Sequence, residues 1–172
     1  QDSQRVVQVT KSLATYFRLA LNQGKDLICL SDEINHVRQY LFIQKQRYGD
    51  KLEYEIDENP AFDNLALPKL VLQPLVENAL YHGIKEKEGQ GHIKVSVRKK
   101  DRGLVIRIED DGVGFQNAGD SSQSQLKRGG VGLQNVDQRL KLHFGEDYQM
   151  KIESAPDKGT TVEIYINRIE TS

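Results

Sequence analysis

The chain has 172 residues, of which 37% are hydrophobic and 28% are charged, and its net charge is -1. This length fits one domain, or one domain plus a helical appendage, and the near-neutral charge gives no electrostatic footprint for nucleic acid or anionic lipid, so we expect neither as a partner. Single Cys29 excludes an internal disulfide and a cysteine-based metal site, and it fits a reducing compartment. Because no apolar run approaches the ~20 residues that span a bilayer, we expect no direct membrane contact from this segment. The first residue is Gln1 rather than Met, which predicts that the chain is a piece of a longer protein.

Two amphipathic helices are predicted at the N-terminus. Apolar residues recur every three or four positions from Arg5 to Leu21, and Gly24 follows as a helix stop. A second helix is predicted from Ser31 until Gly49. Residues 1–49 are too few to bury a core alone, so we expect them to pack on a partner chain or on a preceding segment.

After Gly49 the helical period gives way to alternation, which predicts β-strands in residues 50–172. Each strand has one apolar face, so the sheet should be covered on one side only, by helices over residues 69–82 and 131–144. Pro74 should kink or delay the first of these helices. The predicted fold is an α/β (α+β) two-layer sandwich with a mixed sheet, and not a doubly wound parallel sheet. The strand positions are Leu52, Tyr54 and Ile56, then Ile93, Val95 and Val97, then Leu104, Ile106 and Ile108, then Met150 and Ile152, then Val162, Ile164 and Ile166.

One predicted strand ends in an acid that two glycines follow. Asp110 closes the strand, and Gly112 and Gly114 come directly after it. A carboxylate here can accept a hydrogen bond from an exocyclic amine such as the adenine N6 group, and glycines allow a flat ring to approach the backbone. A polar turn explains the same pattern, because Asp-Gly is a common turn dipeptide.

A second glycine cluster precedes the last predicted helix. Gly129, Gly130 and Gly132 would expose backbone N–H groups to an anion at the helix N-terminus. A flexible hinge before the helix is the alternative. The cluster does not match a P-loop, because no Gly-Lys-Ser/Thr follows it.

The helix that covers the sheet carries three polar residues. Asn78 and His82 are four positions apart and share a face, and Glu77 lies beside them. A carboxamide oxygen suits Mg²⁺, which takes one or two protein ligands together with phosphates and water. A solvated helix face and a C-terminal cap at His82 are the corresponding structural explanations.

The order of these parts is more specific than any one of them. The run from Gln73 to Gly83 (QPLVENALYHG), the Asp110 to Gly114 turn, the later glycine cluster and Gly159-Thr160 follow one another as in the GHKL superfamily of Bergerat-type ATP-binding folds. With the segment from Tyr40 to Gly49 (YLFIQKQRYG), the chain resembles sensor histidine kinases of the LytS and YesM type.

The resemblance implies a catalytic ATP-binding domain at residues 50–172 and, at residues 1–49, the remnant of a dimerisation region with its connector. It implies the cofactors ATP and Mg²⁺, with Glu77 and Asn78 as catalytic residues and Asn78 as the metal ligand. Residues 115–129 would form a lid over the nucleotide. The nucleotide-binding set that it implies is Asn78, His82, Asp110, Gly112, Gly114, Gly130, Gly132, Leu133 and Thr160.

Two departures from the family pattern refine this expectation. Pro74 stands one turn before Asn78, where hydrolysing members carry a general-base glutamate, which favours phosphoryl transfer over rapid hydrolysis. The Pro-His-Phe-type acceptor motif is absent, so the resemblance places the phosphoacceptor histidine upstream of this fragment. The resemblance further implies a response regulator as partner, a homodimer formed through the N-terminal helices, and a cytoplasmic location. The alternative is a nucleotide-switched interaction module or a chaperone-like ATPase.

Overall fold

A computed structural model gives the structure of the protein and describes residues 2–21, 26–115 and 130–167. The predicted loop at residues 117–128, and with it most of the predicted lid, lies outside these ranges. Short 3₁₀ turns at Gly49–Lys51, Pro60–Phe62 and Gly145–Asp147 connect the larger elements. Those elements are α1 (Asp2–Leu21), β1 (Leu27–Cys29), α2 (Leu30–Tyr48), β2 (Leu52–Asp57), β3 (Ala66–Pro68), α3 (Gln73–Asn78), a π-helix (Ala79–Ile84), β4 (Gly91–Lys100), β5 (Gly103–Asp110), α4 (Gly130–Phe144), β6 (Tyr148–Ala155) and β7 (Gly159–Ile166).

Five strands form one mixed sheet in the order β2-β4-β5-β7-β6. β2 and β4 run parallel, and every other neighbouring pair is antiparallel. A parallel pair requires a long crossover, and here the crossover carries α3 and the π-helix. β1 and β3 form a separate antiparallel pair.

The two faces of the sheet differ in polarity. The inward positions of β4, Ile93, Val95 and Val97, are almost completely buried. The outward positions carry ion pairs between neighbouring strands, namely Lys94 with Glu55, Arg98 with Asp57, and Arg107 with Glu163. The inward face and the helices contribute to one apolar cluster. The prediction of a two-layer sandwich with a mixed sheet covered on one face is confirmed.

Helix α2 packs within this chain. Its N-terminus is attached to the segment before β3, because the Leu30 amide donates to the Leu65 carbonyl at 2.8 Å and the Ser31 amide donates to the Asp63 carbonyl at 3.1 Å. The expectation that residues 1–49 need a partner to bury their apolar side is therefore wrong for α2, while the division of the chain at residue 49 stays a prediction. The buried apolar residues of α2 are Leu30, Ile34, Val37, Tyr40 and Leu41.

Helix α1 packs on α2 and leaves part of its apolar side exposed. Val6 and Phe17 are 63% and 53% exposed. No helix within residues 2–21, 26–115 or 130–167 combines the length and the apolarity that a bilayer crossing requires.

The predicted helix over residues 69–82 begins later and changes type. Leu70 has a φ of 58°, and this left-handed turn aims the next amides in one direction. The fully buried Glu33 carboxylate accepts hydrogen bonds from the amides of Leu70, Val71 and Leu72, the last two at 3.0 Å. Burial raises the pKa of the Glu33 carboxyl, and the three amide bonds oppose that rise.

Regular α-helix therefore starts at Gln73, with Pro74 in its first turn, and this is the late start that Pro74 led us to expect. From Ala79 to Ile84 the helix is of the π type, and the Lys85 amide donates to the Leu80 carbonyl five residues earlier at 2.8 Å. Single π turns inside helices are rare and occur frequently at functional sites.

Candidate functional site

A cavity opens where the inward face of the sheet meets α3, the π-helix and α4. It encloses about 610 Å³ of empty space, a volume that includes open solvent at its mouth. Four polar residues line it, Asn78, His82, Asp110 and Thr160. The rest of its wall is mostly apolar and includes Leu75, Ala79, Ile108, Leu133, Ile152 and Val162.

Asp110 is the polar group at the floor of this cavity. It is the last residue of β5 and pairs with Thr160 of β7. One carboxylate oxygen accepts the Gly112 amide at 2.9 Å, and the Thr160 amide also stabilises the charge. Burial nevertheless raises the pKa of Asp110 to about 6. A carboxylate with so little water around it is a strong acceptor for N–H donors of a ligand.

The glycines after Asp110 permit close contact between backbones. A Cβ atom on Gly112 would lie 2.3 Å from the Cα of Gly83 in the π-helix, and one on Gly83 would lie 2.5 Å from an Asp110 oxygen. Gly114 has a φ of 58°, and a Cβ atom there would lie 2.0 Å from the Ala155 carbonyl oxygen. The turn therefore requires glycine to pass beside the π-helix and the β6–β7 connection.

Ser154 is a buried residue beside the cavity, in contact with two of its lining residues, and the sequence reasoning missed it. Its hydroxyl donates to the Gly159 carbonyl at 3.0 Å, accepts the Phe115 amide at 2.9 Å and lies 2.9 Å from the Thr160 hydroxyl. These bonds attach the segment after Gly114 to the end of the β6–β7 hairpin. The available signal was a serine at an inward position of an alternating strand, where a polar residue needs buried partners.

The predicted site residues of α3 and the π-helix lie on two sides of this helical segment. Asn78 and His82 line the cavity, as expected of residues four positions apart. The Glu77 side chain lies outside that lining, where its carboxylate accepts a hydrogen bond from the Gln73 amide nitrogen at 2.6 Å. Glu77 is therefore held on the side of the helix that carries Gln73.

The later glycine cluster lies at the N-terminus of α4. Gly130 and Gly132 are exposed there, and Gly130 has a φ of 76°. Leu133, in the first turn, is buried and contributes to the cavity wall. Gly129 lies outside the described residues.

The structure thus brings six of the predicted site residues together and places four outside the cavity lining. Within the described part of the chain, no group of three or more His, Cys, Asp or Glu side chains could hold a metal ion. The six that meet are Asn78, His82, Asp110, Gly114, Leu133 and Thr160, and the four outside are Glu77, Gly112, Gly130 and Gly132.

Comparison with known families defines the class of protein to which this fold and cavity belong. A family model described as histidine kinase-, DNA gyrase B-, and HSP90-like ATPase matches residues 63–169, and one described as histidine kinase matches residues 1–52. The chain belongs to the histidine kinase-, DNA gyrase B- and HSP90-like ATPase family.

Its similarity to individual proteins points to the sensor kinase branch. The chain is 33% identical over 162 residues to the sensor histidine kinase BtsS of Escherichia coli K12, with 94% of this chain and 28% of BtsS covered. It is 32% identical over 162 residues to the sensor histidine kinase YesM of Bacillus subtilis, with the same coverage. The chain thus spans less than a third of the length of these relatives. The resemblance to LytS- and YesM-type kinases is confirmed.

A solved structure supports the fold independently. The histidine kinase domain of the Erythrobacter litoralis blue-light activated histidine kinase superposes with a TM-score of 0.62 at 18% identity. The match covers 94% of this chain and 73% of that one.

The raised pKa of Asp110 predicts a pH-dependent contribution to stability. The folded chain binds this proton at a pKa of about 6, against 3.8 for an unperturbed carboxyl, so the contribution is present at low pH and is lost as the pH rises through about 6. We expect Asp110→Asn to gain stability relative to the parent by on the order of 2–3 kcal/mol between about pH 4 and about pH 7.5. Urea unfolding of both chains at each pH measures the difference. A difference that does not change with pH would show that Asp110 titrates normally.

Proposed function

We propose that the chain is the ATP-binding catalytic part of a two-component sensor histidine kinase. The observation that carries the proposal is the Asp110 carboxylate, placed without much water at the floor of an apolar cavity in a domain of this ATPase family. Adenine offers an exocyclic amine to such an acceptor and two flat apolar faces to the walls. Ile108, Ile152 and Val162 would contact those faces.

The phosphates of the nucleotide would lie toward the N-terminus of α4. Gly130 and Gly132 leave backbone amides accessible there, and the helix dipole favours negative charge. Leu133 would separate this polar end of the site from the adenine end, because its buried side chain belongs to the cavity wall.

Asn78 would hold Mg²⁺ through its carboxamide oxygen. A magnesium ion commonly takes few protein ligands and completes its shell with phosphate oxygens and water. When bound, Mg²⁺ would bridge phosphates and neutralise their charge.

The site favours phosphoryl transfer over hydrolysis. Pro74 stands one turn before Asn78 and has no group that could activate water, and the neighbouring carboxylate of Glu77 is engaged by Gln73. His36 is only 1% exposed and stacks on Tyr16, so it is a poor phosphoacceptor. The acceptor would be a histidine in a segment upstream of this chain. A response regulator, a homodimer formed through the N-terminal helices and a cytoplasmic location complete the proposal.

The adenine assignment predicts that Asp110→Asn binds ATP more weakly and stays folded. Loss of a charge-assisted hydrogen bond should cost about 1.5–3 kcal/mol, roughly a tenfold to a hundredfold increase in Kd. Calorimetric titration with MgATP at about pH 8, where Asp110 is ionised, measures the change.

Asp111→Asn is the matched control for this experiment. It removes the same charge from the next residue, which bonds the His92 amide at 2.7 Å and pairs with Lys87 at 2.9 Å. Its affinity should stay within about twofold of the parent. Equal affinities of the parent and Asp110→Asn would refute the adenine assignment.

The metal assignment predicts that Asn78→Ala makes nucleotide binding less dependent on Mg²⁺. Parent and variant are titrated with ATP in the presence of Mg²⁺ and again with a chelator. The parent should lose affinity without the metal, and the variant should lose far less, because its metal ligand is already gone. If the two chains show the same dependence on Mg²⁺, Asn78 is not the ligand.

The transfer assignment predicts that the chain alone gains no stable label from γ-labelled ATP. A chain extended by its upstream sequence should gain an acid-labile phosphoryl group, as expected of phosphohistidine. Label that is retained on gels run at alkaline pH and lost on acid treatment, together with mapping of the labelled residue, distinguishes the two chains. Strong label on His36, His82, His92 or His143 would contradict an upstream acceptor, and fast release of phosphate would favour the chaperone-like alternative.

A further inference from the structure

A chain of hydrogen bonds joins α1 to the helix that carries Asn78. The side-chain amide nitrogen of Gln73 donates to the Tyr16 hydroxyl oxygen at 2.5 Å and to the Glu77 carboxylate at 2.6 Å. A carboxylate only accepts hydrogen bonds, so the amide nitrogen must be the Gln73 atom between the two partners. Gln73 is 8% exposed, and these bonds use both of its amide hydrogens.

The surroundings hold Tyr16 in a defined place. Its ring stacks on His36 of α2, with ring centroids 4.4 Å apart and an interplanar angle of 21°, and Tyr40 lies next to it at 6.4 Å. Burial raises the pKa of the Tyr16 hydroxyl, and the charge of Glu77 contributes to the rise. Burial also raises the pKa of Tyr40, and Tyr81 and Glu77 add to it. The junction of α1, α2 and α3 is therefore a polar cluster in which Gln73, His36 and Tyr40 are buried, while Tyr16 and Glu77 are half-buried.

Glu77 and Asn78 are adjacent in one helical turn but face different parts of the molecule. Asn78 faces the cavity, while Glu77 is bonded, through Gln73, to α1. Backbone hydrogen bonds make a helical turn rigid, so a displacement of Asn78 must move Glu77 and Gln73 with it. The interior is closely packed around both, because Leu75 and Val76 are almost fully buried.

We propose that the hydrogen-bonded chain Tyr16–Gln73–Glu77 transmits nucleotide occupancy of the cavity to α1, and that Glu77 is a positioning residue rather than a ligand of metal or phosphate. This inference rests on the proposed ATP site. The sequence resemblance implies a catalytic role for Glu77. In this proposal Glu77 instead connects the helical turn that carries Asn78 to α1, through Gln73 and Tyr16. Nucleotide binding in the cavity and the attachment of α1 then both depend on the position of the same helical turn.

Hydrogen exchange of the α1 amides tests the connection in the nucleotide-free chain. Tyr16→Phe keeps the ring that stacks on His36 and removes the hydroxyl oxygen, and Gln73→Met keeps the bulk and removes the amide. Each should raise exchange in α1 by about fivefold, the effect of one net hydrogen bond. The double variant should exchange no faster than the faster single variant, because both changes break the same chain. Tyr54→Phe, which removes a hydroxyl from half-buried Tyr54 of β2, is the control and should leave α1 unchanged.

Saturating MgATP, with binding verified by calorimetry on the same samples, tests the transmission. ATP should change α1 exchange in the parent and in Tyr54→Phe, and this ATP-dependent change should fall by at least half in Tyr16→Phe. If the Tyr16 hydroxyl has only a structural role, ATP will change α1 exchange equally in Tyr16→Phe and in the parent. That result would overturn the inference. A parent that binds ATP with no change in α1 would overturn it as well. A parent that binds no ATP would instead refute the proposed function.

Discussion

The site depends on a close contact between two backbones, that of Gly83 in the π-helix and that of Gly112 after β5. A Cβ atom on Gly112 would lie 2.3 Å from the Cα of Gly83, a separation that folded proteins do not tolerate. The Val113 amide donates to the Gly83 carbonyl at 3.3 Å and so fixes the same contact. Because the turn after Asp110 runs against the helix here, the acid is held at the floor of a cavity and does not project into solvent. A side chain at either glycine would separate the helix from the sheet and open the floor.

Much of this architecture could be predicted from the sequence because it follows from local periodicity. Residues close together in the chain determine the strand positions, the one-sided sheet, the late start of α3 and the helix that ends at Phe144. The parts that escaped prediction depend on long-range contacts. Glu33 holds the start of α3 from 37 residues away, and nothing near Glu33 in the sequence marks it as a buried acceptor. The type of sensor kinase was accessible only through the resemblance, because Asp110 and the glycines taken singly fit ordinary turns.

In the candidate site, too, some side-chain positions follow from the local sequence and others depend on long-range contacts. A helical wheel places Asn78 and His82 on one face, and both line the cavity. It cannot say which way Glu77 turns, because that is decided by Gln73 and by Tyr16, 57 residues from Gln73. Gly112 was predicted to lie beside a ligand, yet its closest neighbour is the backbone of Gly83. The sequence thus predicted that Asn78 and His82 share a face, but it could not give the contacts of Glu77 and Gly112.

The run from Gln73 to Gly83 is specific because different parts of the molecule constrain it at once. Pro74 and the three amides held by Glu33 fix where the helix begins. Its apolar residues, Leu75, Val76, Ala79 and Leu80, are buried in the core. Asn78 and His82 face the cavity, while Gln73 and Glu77 face α1, so one short element serves the core, the site and the N-terminal helix. Gly83 then ends the run at a position where Gly112 and Val113, in the turn after Asp110, contact the helix. A substitution that is conservative with respect to the core can therefore disturb the cavity or the contact with α1. Because the same helical segment contacts all three, it can connect ligand binding in the cavity with the position of α1.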